Sequence, residues 1–121
     1  MRYGQFTRDG SIWVGRVLRA CSLWDRMRGL LGRSALGPNA ALLIERCGSV
    51  HTVGMRFSID VVFLSGEWRI VRIVRAVRPG RLMVSGGWRA VRTLESESGL
   101  LDFSRVHVGD TLNYVEQGGG A

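Results

Sequence analysis

The sequence predicts a single, mainly β domain of the α+β class: an antiparallel sheet curled into a small barrel, with one or two short helices. Three observations lead there. Short apolar runs rich in β-branched residues recur along the chain, turn-forming glycines, prolines and asparagines separate them, and one segment alone carries a clear helical period. With 121 residues, 45% apolar and 22% charged, the chain suits one globular core and leaves little room for a second. The expected layout is an extension over residues 1–10, the barrel-like domain over 11–116 and a flexible glycine-rich tail over 117–121.

Ser11–Ala20 is expected as the first strand, since Ile12, Val14, Val17 and Leu18 lie between charged residues. Leu23, Met27, Leu30 and Leu31 then share one helical face, with Ser22 as cap and Gly32 as exit, so a short helix is expected there. Gly37, Pro38 and Asn39 form a turn into a buried strand, Ala41–Glu45. Two β segments follow between Cys47 and Leu64, separated near Arg56–Ser58, and Asp60, Val62 and Leu64 alternate with Ile59, Val61 and Phe63 across two half-buried faces. A Ser65-Gly66 hairpin leads into Glu67–Val77, which Pro79 and Gly80 end. Trp88–Glu95 is expected as a strand, Ser98–Ser104 as a helical turn and Thr111–Val115 as the last strand.

All 17 basic residues are arginine, against 10 acidic residues, for a net charge of +7. Such a charge invites a nucleic-acid partner. However, Arg69, Arg72, Arg75, Arg78 and Arg81 recur every third residue, so a strand of period two sends Arg69 and Arg75 one way and Arg72 and Arg78 the other. Dispersed arginines without stacking aromatics or a recognition helix argue against nucleic acid. The longest uncharged stretch, Ser34–Ile44, is too short for a membrane span, and no basic-then-apolar leader precedes the domain; a cytoplasmic protein with Cys21 and Cys47 reduced is expected.

Cys47, His51 and Met55 are spaced by four and would share one face of a flat strand, a soft ligand set suited to copper. Such a site needs a second histidine, and His107 lies far downstream, so no metal and no cofactor are expected. Cys47 or Ser49 activated by His51, with Asp60 orienting the ring, would make a nucleophilic site, but positions two and four apart on a strand lie beyond direct hydrogen bonding. Asp60, Glu95 and Asp110 are expected mainly as carboxylates paired with arginine or held in a turn.

The runs DRMRGLLGR (Asp25–Arg33) and HTVGMRFSIDVVFL (His51–Leu64), with Pro79, Leu94–Ser96, Gly99 and VGDTL (Val108–Leu112), resemble the prokaryotic family catalogued as domain of unknown function 192, or uncharacterised protein family 0127. The resemblance spans Ser11–Val115. It implies a compact, barrel-like β domain with a helix carrying the arginine-glycine-leucine run, and no established reaction or cofactor. The family's recurrent polar residues fall on Arg26, Arg28, His51, Thr52, Asp60, Glu95 and Asp110 of this chain.

The functional expectation is a small non-catalytic binding or accessory domain. Its polar pocket would gather Arg26, Arg28, His51, Thr52, Asp60 and Glu95, with Trp68 and Trp88 nearby, around a polar small molecule such as a sugar or an organic acid. The alternatives are a hydrolase with His51 as base and Asp60 orienting it, a purely structural cluster, and nucleic-acid binding through the arginines.

Overall fold

The computed structural model describes residues 2–20 and 39–117. Nine strands run through them in chain order: β1 (Arg2–Arg8), β2 (Ser11–Ala20), β3 (Ala40–Glu45), β4 (Ser49–Val50), β5 (Ile59–Leu64), β6 (Ile70–Val77), β7 (Val84–Ser85), β8 (Arg92–Glu97) and β9 (Asn113–Glu116). Seven form one sheet in the order β6-β5-β8-β3-β2-β1-β9, and β4 pairs with β7 in a separate ribbon.

The sheet is mixed rather than antiparallel throughout. β2 and β3 run parallel, from Arg16↔Ala40 to Ala20↔Ile44. A parallel pair needs a crossover of about a dozen residues or more, and the chain from Ala20 to Ala40 exceeds that. Nor does the sheet close into a barrel, which would take a continuous ladder between its two edges. Those edges meet through the isolated bridge Arg69↔Thr111, reinforced by Trp68 stacked on Tyr114 at 5.4 Å. Beyond that corner β9 turns along β1, from Gly4↔Glu116 to Thr7↔Asn113. Residues 2–8, expected within an extension, are therefore a sheet strand with β2 on one side and β9 on the other.

Each face of the sheet carries a core. Phe6, Val14, Val17, Ala41, Leu43, Val62, Leu64 and Leu94 build the first, together with Leu101, Val106 and Leu112 from the connection between β8 and β9. Leu18, Leu42, Ile44, Ile59, Val61 and Phe63 build the second, which the β4–β7 ribbon covers with Val50 and Val84. Strands with a core on both sides should be apolar almost throughout. β5 is buried at all six positions, where half-buried flanks were expected, and β3 at five of six.

No helix occurs among the described residues. The expected helical turn at Ser98–Ser104 is a chain of tight turns in which Asp102 accepts from the Ser104 N–H at 3.0 Å and its carbonyl accepts from the Trp13 indole at 2.8 Å. The helix expected after Ser22, with Arg26 and Arg28, and the tail beyond Gln117 lie outside the described residues. Three strands start later than their composition suggests, β9 at Asn113 rather than Thr111 and the other two by a wider margin. β6 waits until Ile70 because the Ser65 hydroxyl accepts from the N–H of Glu67 and of Arg69, curling this segment into a turn with Trp68 at φ 66°. β8 waits until Arg92 because Gly87, at φ 88°, turns the chain so that the Ala90 N–H reaches the Gly87 carbonyl.

Candidate functional site

Among the described residues, the polar side chains singled out by sequence do not form one pocket. β5 and β8 pair without a register break, Asp60↔Ser96 and Val61↔Glu95. Directly opposed residues share a face and successive residues alternate, so the Asp60 and Glu95 side chains lie on opposite faces of the sheet. A single pocket holding both carboxylates is thereby excluded.

Asp60 is buried and structural. Its register against β6 skips, so that it stands opposite a bulge between Val74 and Val77. Ala76 in that bulge has φ 55° and donates its N–H to Asp60 Oδ1 at 2.7 Å. The same carboxylate accepts from the Ser98 hydroxyl at 3.1 Å and the Gly99 N–H at 3.0 Å. One carboxylate thus ties the β6 bulge to the turn leaving β8. His51 is exposed and is not among its partners, so the oriented-base pair of a hydrolase is not formed.

Thr52 is buried beneath the turn after β6. Its hydroxyl donates to the Arg78 carbonyl at 2.6 Å and accepts from the Arg81 N–H at 2.8 Å. Its own N–H donates to the Arg81 carbonyl, and the Gly80 N–H donates to the Thr52 carbonyl, both at 2.9 Å. Thr52→Val keeps the shape and deletes both hydroxyl bonds. We expect a loss of about 1–3 kcal/mol in chemical denaturation, with the fold retained by circular dichroism.

Glu95 is the predicted residue with an unusual environment. Its neighbours across the ladder are Leu42 and Val61, its Oε2 atom is buried with no hydrogen-bond partner, and burial pushes its carboxyl up to about 7. It makes no ion pair among the described residues, contrary to the expected arginine pairing. Asp110 does pair: it accepts from the His107 N–H at 2.8 Å and meets Arg8 at 3.2 Å, and both interactions hold its carboxyl below the ordinary range. The Cys47, His51 and Met55 set also separates. β4 ends at Val50, Cys47 Sγ donates to the Ser49 carbonyl, and Cys47 and Met55 each pack at the margin of the second core while His51 faces solvent.

The arginines after Arg69 are dispersed as expected. Arg72 reaches the Ser85 carbonyl on one face, and Arg75 lies 4.8 Å over Phe103 on the other.

The structure instead opens a cleft of about 720 Å³ between the Ser65–Arg69 turn, the start of β6, the Gly86–Arg89 loop and the Val108-Gly109 turn. Its Ser65-Gly66 side is held by Arg92, which lies 3.8 Å over the Trp68 ring, bonds Glu45 through Nε at 2.9 Å, and donates through Nη1 to the Ser65 and Gly66 carbonyls. Gly86 passes so close over Phe63 that an added Cβ would sit 2.4 Å from the ring, which fixes the loop against the second core. On the rim, Arg89 stacks 4.9 Å over Trp88, whose indole is nonetheless 88% exposed. Arg69 and Arg89 form no ion pair among the described residues, although Glu67 shares the rim. Two unneutralised guanidinium groups, an open indole face and one carboxylate can hold an oxyanion, stack a ring and accept from a hydroxyl. Of these residues the sequence placed Trp88 near a pocket and read Arg69 only as one of a dispersed series of surface charges. The run Gly86-Gly87-Trp88-Arg89 was the available signal, because paired glycines make an exposed turn where an aromatic residue has no core to fill.

The family model DUF192, described as an uncharacterized ACR, matches residues 5–114. A protein of Thermococcus sibiricus (strain DSM 12597 / MM 739) named UPF0127 protein is 34% identical over 113 residues, covering 87% of this chain and 70% of its own. A crystal structure of a protein of unknown function from Novosphingobium aromaticivorans DSM 12444 superposes with TM-score 0.76 at 19% identity, covering 92% of this chain and 83% of that one. One of a proposed transcription regulator from Sinorhizobium meliloti 1021 gives TM-score 0.76 at 21% identity, covering 93% and 92%. Both structures share the fold.

Proposed function

The chain belongs to the DUF192 family, whose description assigns no activity, and from its own geometry we propose a small non-catalytic binding domain for a compact anionic organic ligand, such as a sugar acid. The site is the cleft between the Ser65–Arg69 turn and the Gly86–Arg89 loop. The observation that carries this reading is the pairing of two guanidinium groups, Arg69 and Arg89, that form no ion pair among the described residues, with an indole left 88% exposed at the same rim. Exposing a tryptophan that fully costs the free protein apolar burial, and a ring stacked on it recovers that area. Guanidinium forks bind a carboxylate in a defined plane, and Glu67 accepts from a ligand hydroxyl. Arginine stays protonated across the neutral range, which suits this rim to holding an anion.

D-glucuronate and D-glucose, compared in a thermal-shift and tryptophan-fluorescence titration, test this reading. At a hundredfold excess over Kd a ligand stabilises the native state by about 2.7 kcal/mol, a shift of several degrees. Glucuronate is expected to raise Tm and quench fluorescence, glucose to do neither, and Trp88→Ala or Arg89→Ala to abolish both responses without lowering the unliganded Tm. A response to glucuronate that survives in Arg69→Ala/Arg89→Ala, or no response to it at all, overturns the reading.

A further inference from the structure

We propose that the free end of the β4–β7 ribbon is a peripheral docking tip for an anionic lipid surface. Two loops meet there, residues 51–57 leading from β4 toward β5 and residues 78–83 leading from β6 to β7. They spring from the same end of the sheet, because Ile59 at the start of β5 is paired with Val77 at the end of β6.

The tip carries apolar side chains that no other described residue covers: Leu82 is 85% exposed, Met83 66% and Val53 44%. Exposed arginines stand in the same two loops, Arg56, Arg78 and Arg81, and neither loop contains an acidic residue. An apolar point inside a collar of one sign is what the boundary of an anionic bilayer accommodates, with the apolar groups entering the acyl region and the guanidinium groups meeting phosphates. The high exposure of Leu82 and Met83 favours a deformable surface over a protein partner, since leucine and methionine exposed on a loop need a pocket of matching shape on a protein and none on a bilayer. The net charge of +7 draws the whole chain toward such a surface.

The tip is also rigid in advance of contact. The four hydrogen bonds between Thr52 and residues 78–81 lock one loop to the other. Gly80, at φ 92°, makes the bend that lifts Arg81 and Leu82 outward. A wedge already formed loses little conformational entropy on binding. Peripheral contact of this kind requires no spanning segment, and no helix of the described residues is long and apolar enough to cross a membrane.

Sedimentation with vesicles tests the proposal, using phosphatidylcholine alone and phosphatidylcholine mixed with phosphatidylglycerol at near-physiological salt. The wild-type chain is expected to bind the mixed vesicles and not the neutral ones. Each arginine near an anionic surface contributes roughly fivefold, so Arg78→Glu/Arg81→Glu should lower partitioning by about twenty-five-fold or more. Leu82→Asp/Met83→Asp should lower it comparably with the arginines intact. All four substituted side chains are exposed, and an unchanged melting curve confirms the fold. Arg2→Glu/Arg16→Glu, on β1 and β2, makes the same change in net charge and should retain most of the binding. Loss of binding to the same degree in this control means that overall charge is responsible, and overturns the proposal. So does binding that survives Leu82→Asp/Met83→Asp, absence of binding to the mixed vesicles, or tip-dependent binding to poly-L-glutamate without binding to vesicles.

Discussion

Replacing Glu95 by leucine should stabilise the protein at pH 8 by about 3 kcal/mol and remove a decline in stability that the wild type shows as pH rises from 4.5 to 7. The carboxyl is raised from the ordinary 4.5 to about 7 because folding strips its water and supplies no partner for Oε2. Between those two values the folded chain holds the proton and the unfolded chain has released it. The unfolded state therefore binds fewer protons, and stability falls with rising pH across that window. At about 1.4 kcal/mol for each pH unit, a window from 4.5 to about 7 amounts to about 3 kcal/mol. Leucine is close in volume, and Leu42 and Val61 are its cross-strand neighbours, so the substitution leaves an apolar contact in place of a buried charge. Thermal melts of both proteins from pH 4 to 8 should diverge above pH 4.5, reaching a gap of roughly 10 °C. Parallel curves would show that Glu95 holds no such proton. Asp110, lowered first by its hydrogen bond with Arg8, works in the opposite sense: the stability it adds is present above the ordinary 3.8 and lost as pH falls through its lowered value. The two windows do not overlap.

Asp60→Ala should be the most damaging substitution at any of the predicted polar positions. Three donors lose their acceptor at once: the Ala76 N–H in the bulge, the Ser98 hydroxyl and the Gly99 N–H. Charge-assisted bonds of this kind contribute about 1.5–3 kcal/mol each, but Ala76 is exposed enough for water to replace part of the loss. A net loss of about 2–4 kcal/mol in urea denaturation is expected, with a Tm lower by roughly 10 °C. Asp60→Asn should recover only part of it, because its amide nitrogen cannot accept from the donor it faces. Wild-type stability in either variant would remove Asp60 from its structural role and reopen a ligand role for it. A neighbouring comparison separates the cases further: His51→Ala should leave stability unchanged, since the ring faces solvent.

Much of the fold was legible in the sequence where local chemistry decides it. Ser11–Ala20 was bounded correctly, because the Asp9-Gly10 turn precedes it and β-branched residues fill it. Ala41–Glu45 and the two segments between Cys47 and Leu64 were found for the same reason. Gly99 and Asp110, part of the family resemblance, mark a positive-φ turn and a capped one. Starts such as those of β6 and β8 were misplaced because a serine hydroxyl and a glycine pair override the strand preference of the tryptophans between them.

The sequence by itself thus determined a mainly β domain of this family, its central strands and the glycine-marked turns, all of which rest on residues close together in the chain. Strand order did not follow from it, and strand order decides the rest. The parallel β2–β3 pair, the open rather than closed sheet and the separation of Asp60 from Glu95 depend on which distant strands are hydrogen-bonded and in what register. The cleft is a product of the same non-local pairing: Arg69, Trp88 and Gly109 come to one rim only when the Arg69↔Thr111 bridge draws the sheet's two edges together. Alternation along one strand tells which residues share a face, but only tertiary pairing tells what that face meets.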